Sequence, residues 1–218
     1  MIKVKKPNII EYTEIIHDGF INLVNHALIE EQDIECLCIE NISITKEDLS
    51  SIIFSQVEFR NCEFIDCNFE KASFKDVIFK NCDFSNSNFD SSYFSCCQIT
   101  SSKWLGVSLN NSSIKNMSII DSNLNFAILD KANLKTVEIL NTTLNNSNIS
   151  ECVLKDIEFD ETQFINASFF KTPLKGLDFT KCQIDGIIVS SNFFELKGAI
   201  VNSLQSSELA KLLGIIIK

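Results

Sequence analysis

From Phe54 to Phe194 the chain places an apolar side chain at every fifth residue, 29 positions in succession without a polar interruption or an insertion. Phenylalanine holds the first nine of them, and Ile, Leu, Val, Trp and Phe share the rest. A step of five suits neither regular element: it turns about 140° around a helix and changes face each time on a strand. The period therefore belongs to a supersecondary unit repeated along the chain. Upstream, Leu49, Ile44, Ile39, Ile34, Ile29 and Val24 keep the same register. A second column lies two residues before each centre and is mostly small, as at Cys62, Cys67, Ala72, Val77, Cys82 and Ser87. The pattern predicts one large and one small inward residue in every five, with polar residues between them.

Written as small-(N/D)-(L/F)-x-x, the unit appears as CNFEK, CDFSN, SNFDS, ANLKT and SNLNF, and it resembles the pentapeptide repeat family. The resemblance runs firmly from 54 to 194 and extends to 24 in the looser register. It implies an all-β fold, a right-handed quadrilateral β-helix with one pentapeptide per side and four per coil. A single coil cannot bury its own apolar centres, whereas coils stacked at roughly 4.8 Å bury them as a continuous column. Residues 24–195 are expected to form this solenoid.

A stack of coils exposes a sheet edge at each end and needs a cap. Residues 1–23 lack the repeat and are expected to cap the first coil, with IEYTEIIHDGF able to form a short helix. Residues 196–218 break the pattern as well. Asn202 or Ser203 can N-cap a helix, Leu209, Leu212 and Leu213 share one face, Gly214 can end it, and Ile215, Ile216 and Ile217 form an apolar tail. Leu204 fits that face less well. The segment resembles the C-terminal module of quinolone-resistance pentapeptide repeat proteins, which implies a homodimer joined through Leu204, Leu209, Leu212, Leu213, Ile215, Ile216 and Ile217.

Composition narrows the chemistry. Six Gly and two Pro in 218 residues leave the turns to Asn, Ser, Asp and Lys. The cysteine count is odd, at nine, with no Cys-x-x-Cys pair and no leader-like apolar run, so reduced thiols, a cytoplasmic location and no membrane span are expected. Six cysteines sit in the small column, where a buried thiol packs as a small hydrophobe. Cys62 and Cys82 fall one coil apart in that column, close enough for a disulfide to remain open as an alternative. With two histidines, no phosphate loop, no nucleophile elbow and no room inside such a coil, neither an enzyme, a cofactor nor a metal is expected.

The net charge of −10 disfavours direct nucleic-acid binding and leaves basic protein partners open. Sorted by coil side, the outward charges are uneven. The sides following Phe59 and Phe64 are acidic, with Glu58, Glu63, Asp83, Glu138, Glu158 and Asp160 among their carboxylates; the side following Phe54 carries Lys75, Lys115, Lys135, Lys155 and Lys175. The family resemblance implies a non-catalytic, DNA-mimicking rod that binds DNA gyrase or topoisomerase IV through those acidic sides and modulates quinolone sensitivity. The alternative is a pentapeptide repeat scaffold with an unrelated protein partner, using the lysine side.

Overall fold

The computed structural model describes residues 2–9 and 11–217. Its body is a parallel β-solenoid of about seven turns in which each coil takes 20 residues. Four eight-residue strands, Tyr93–Thr100, Ser113–Ile120, Asn133–Leu140 and Val153–Asp160, stack in register, Phe94 on Ile114 on Leu134 on Leu154. Each wraps two adjacent sides of the coil. The other two sides are turns joined by single bridges such as Glu63–Asp83 and Asn88–Ser108.

Both inward columns are buried from Ile52 onward through most of the solenoid. The large residues stack coil on coil: the rings of Phe69 and Phe89 lie 4.8 Å apart and nearly parallel, as do those of Phe74 and Phe94. Around one coil Phe54, Phe59 and Phe64 meet edge to face at 5.1 and 5.7 Å, a geometry aromatic quadrupoles favour. The interior is closely packed, with an apolar void of about 20 Å³ where the aromatic column gives way to Leu and Ile around Met117.

The small column does more than fill space. Several of its hydroxyls and thiols donate to the carbonyl 23 residues earlier, in the preceding coil: Ser87 to Phe64 at 2.7 Å, Thr162 to Ile139 at 2.9 Å, Cys62 to Ile39 at 3.3 Å and Cys82 to Phe59 at 3.4 Å. This explains why Ser, Thr and Cys interchange there. All nine cysteines are free, Cys62 and Cys82 included. Burial pushes the Cys97 and Cys152 thiols up to about 12, so they stay protonated and unreactive.

Two residues after each centre from Ile34 to Leu174 the backbone turns with positive φ, near +55° at Asp66, Asn81, Asn111 and Asn146. Asn and Asp tolerate this left-handed region better than other side chains, and so supply the corners that a glycine-poor chain needs.

The coils begin at Ile34, later than the periodicity suggests. Val24 and Ile29 are instead on helix α1 (Phe20–Ile29), where Phe20, Val24 and Ala27 recur at helical spacing and face inward. The earlier segment forms a strand, Glu14–Ile16, added to Leu37–Glu40. At the other end, Pro173 has no N–H to donate where Tyr93, Ser113, Asn133 and Val153 each bond the coil below, so the long-strand ladder stops at Val153–Asp160. The register then slips: Asp178 bridges Ile200, 22 residues on, and Phe194 turns outward in a short 3-10 helix while the neighbouring Glu195 is buried. The periodicity therefore fails at its last position, because the final coil closes on a polar plug.

Candidate interaction surfaces

The described residues offer no group of three or more His, Cys, Asp or Glu placed to hold a metal. A concavity of about 850 Å³ is an open trough lined by polar residues such as Asn61, Asn81, Asn123, Asn141 and Thr143. No helix among them is long and apolar enough to cross a membrane. Chemistry that distinguishes this protein must lie on its outer sides and its ends.

The carboxylates expected on the acidic sides meet different fates. Glu58 is 7% exposed, paired with Arg60 at 3.0 Å and hydrogen-bonded by the Tyr12 hydroxyl, so it is not a surface contact. Burial and that hydrogen bond push the Tyr12 phenol well above its ordinary range. Glu158 accepts from the backbone N–H of Ile2 at 2.9 Å, and Glu138 from the Ser118 hydroxyl. Asp160 pairs with Lys181 at 2.9 Å and Asp83 with Lys103 at 3.0 Å. Burial pushes the Asp83 carboxyl up, but hydrogen bonds from Ser85 and the Lys103 cation outweigh it and hold it below the usual range. Glu63 is exposed and accepts from Ser43 at 3.0 Å. Asp66, Asp121, Glu161 and Asp185 are also exposed.

Part of this covering comes from the N-terminal segment, through Ile2 on Glu158 and Tyr12 on Glu58. Residues 2–9 lie along the rod as a strap, with Ile2 N–H on Glu158 near the last long strand and Asn8 N–H on Asp76 at 2.9 Å four coils away. Four coils are about 19 Å, which six residues span only when extended. Ile2, Val4, Pro7 and Ile9 are half-buried against the coil; Lys3, Lys5 and Lys6 are exposed. The sequence gives no periodic warning of this, since the strap is held by its backbone and by carboxylates distant in the chain.

The C-terminal helix α2 (Ser203–Leu212) starts at Asn202 with a complete capping box: its side chain accepts from Gln205 N–H at 3.0 Å, and Gln205 accepts in return from Asn202 N–H. Gln205 also donates to the carbonyls of Phe179 and Cys182, both at 2.7 Å. This glutamine docks the helix on the last coil, and a hydrophobic reading of the segment passes over it. Glu195 completes the plug, accepting from Lys171 N–H at 2.8 Å, Ser190 N–H at 3.0 Å and the Ser190 hydroxyl at 2.8 Å. Leu209 packs half-buried on the core, whereas Leu204, Leu212, Leu213, Ile215, Ile216 and Ile217 are exposed, Leu204 and Ile216 by 80% and 84%.

A solenoid of four five-residue sides, closely packed inside and closed by helices, is the pentapeptide repeat β-helix. A family profile described as Pentapeptide repeat region matches residues 52–126. Among solved structures, the chain is similar to a trypsin-treated form of QnrB1, a plasmid-mediated fluoroquinolone resistance protein: 22% identity, 96% of this chain and 98% of that one covered, TM-score 0.56. It is also similar to HetL from the cyanobacterium Nostoc sp., a pentapeptide repeat protein involved in heterocyst differentiation regulation, at 12% identity, with 84% of this chain and 93% of that one covered and a TM-score of 0.51. Identities this low carry the fold alone. No curated protein matches the sequence at a significant level. By its repeat and its fold the chain is similar to pentapeptide repeat proteins, with the family profile matching over residues 52–126.

Proposed function

We propose that this is a non-catalytic interaction rod that works as a homodimer joined through residues 196–218, with a type II topoisomerase as its partner. The observation that carries the reading is the C-terminal end. Gln205 and Glu195 seal the last coil with hydrogen bonds, and the apolar residues around Leu204, Leu213 and Ile216 are left over, pointing away from the chain's own core. An intramolecular lid does not need them, and contiguous exposed apolar surface marks an interface. A two-fold pairing of such ends makes one rod of double length.

The topoisomerase reading is supported by the fold likeness to QnrB1 and by the carboxylates that stay exposed, Glu63, Asp66, Asp121, Glu161 and Asp185. Glu58 is withdrawn from the contact set, being buried. A supercoiling assay with purified gyrase, with and without a quinolone, decides this reading. Inhibition of supercoiling or rescue from the drug is expected, and no effect at any soluble concentration overturns it. A scaffold with an unrelated protein partner is the second reading, favoured by the lysine side described next.

A further inference from the structure

The lysine side is more ordered than the sequence suggests. Lys75, Ser95, Lys115, Lys135 and Lys155 occupy five successive rungs of the parallel sheet, each directly paired with the next. Three of these cations are stacked without interruption at roughly 4.8 Å. Like charges directly opposite one another weaken a sheet, so this arrangement costs the fold something. All four lysines are exposed, and among the described residues none is ion-paired. The lysines at 71, 103, 131, 171 and 181, by contrast, each have a carboxylate within 4 Å.

The strap lies beside this ladder and runs its full length. Its anchors, Asp76 and Glu158, are one and three residues beyond Lys75 and Lys155, which sets the strap about 3–10 Å from the lysine column. It turns Ile2 and Val4 toward the coil and holds Lys3, Lys5 and Lys6 outward, again unpaired among the described residues. Two parallel cationic rows thus share one edge of an otherwise acidic rod. Glu158 is engaged by the strap's Ile2 N–H, and Glu58 by Arg60 and the Tyr12 hydroxyl, so neither carboxylate is paired with these lysines.

We propose that this two-row edge is a docking surface for an acidic segment of a partner protein, lying lengthwise over about five rungs. Charge complementarity selects an anion, and about 19 Å of unneutralised lysines sets a footprint of a few carboxylates. A nucleic-acid backbone fits less well, because it extends past the edge into the field of a chain with net charge −10.

The test uses the full chain and two fluorescent probes of matched charge, a deca-glutamate peptide and a decathymidine oligonucleotide, titrated at low and physiological salt. The peptide binds in a salt-sensitive manner, and affinity falls at least about tenfold both in K115Q/K135Q/K155Q and in K3Q/K5Q/K6Q. The comparison variant K71Q/K131Q/K171Q binds as the parent does. All three sets change exposed side chains, and unchanged circular dichroism confirms that the coil is intact. No peptide binding at low salt, or binding indifferent to either row, overturns the proposal. Oligonucleotide binding as tight as the peptide's overturns the protein partner in favour of a nucleic acid. A chain inactive toward gyrase can still pass this test, so the two readings fail separately.

Discussion

The two ends of the rod are sealed by different chemistry. At the N-terminal end helix α1 inserts an aromatic plug: the Phe20 ring lies 5.4 Å from that of Phe64 and 6.5 Å from those of Phe54 and Phe59, continuing the axial stack of rings one beyond Phe54. At the C-terminal end the plug is polar, Glu195 and Gln205, satisfying amides and carbonyls of the last coil. Outward, α1 presents Asn22, Asn25 and His26 beside Leu28 and Ile29, whereas the C-terminal end presents a run of leucine and isoleucine. An apolar plug uses up a cap's apolar residues, and a polar plug leaves them free. The two ends of the rod are therefore chemically different, and the C-terminal one exposes the longer run of apolar side chains.

The N-terminal plug is the costlier one to break. Phe20→Ala removes a ring buried against three others and should cost about 3–5 kcal/mol, read as a shift in the denaturant midpoint. A loss below about 1 kcal/mol would show that the stack ends at Phe54 and that α1 is only laid over it.

The polar plug predicts a smaller effect with a pH signature. Burial pushes the Glu195 carboxyl up, but hydrogen bonds from the backbone and from Ser190 outweigh it and hold it below the usual carboxylate range. A depressed folded-state pKa contributes stability that is present above the unfolded value, about 4.3, and is lost as pH falls through the folded one. Glu195→Gln should therefore cost about 1–3 kcal/mol at neutral pH, and its gap from the parent should close as pH drops below 4. A gap that is constant with pH would mean that the carboxylate charge plays no part in sealing the coil.

The exposed apolar face should have the least effect on the coil itself. Leu204→Lys combined with Ile216→Lys should leave the circular dichroism unchanged and halve the mass seen by analytical ultracentrifugation, since both side chains lie almost wholly in solvent. A dimer that survives the double change would place its interface elsewhere and remove the functional meaning of the difference between the ends.

Legibility in the sequence follows the same division. Where burial repeats with a short period, one residue predicts the next, and the solenoid from Phe54 to Ile184 reads directly from the five-residue step. The helix at 203–212 was marked by Asn202 and Gly214, and both act as expected, Asn202 as N-cap and Gly214 with φ 76° just past the end. Phe194 and Glu195 break this rule. The register assigns the interior to the phenylalanine, but a slip in the last coil brings in the carboxylate, and nothing local signals the exchange. Val24 and Ile29 kept the five-residue register yet lie on a helix, because residues 20–29 also satisfy a helical spacing that the end of the stack rewards.

The sequence by itself determined the coil: its period, the two inward columns, the absence of insertions and the lysines spaced 20 apart. Each depends on contacts between residues whose separation is constant, so a one-dimensional pattern contains them. The tertiary structure alone decided which charges are available. Glu58 and Glu158 look like surface carboxylates in the pattern, but Glu58 is covered by Tyr12 and Arg60, and Glu158 by the strap's Ile2, 156 residues away in the chain. Charge on a rod is a property of what lies over each side, and that is set by contacts without a period.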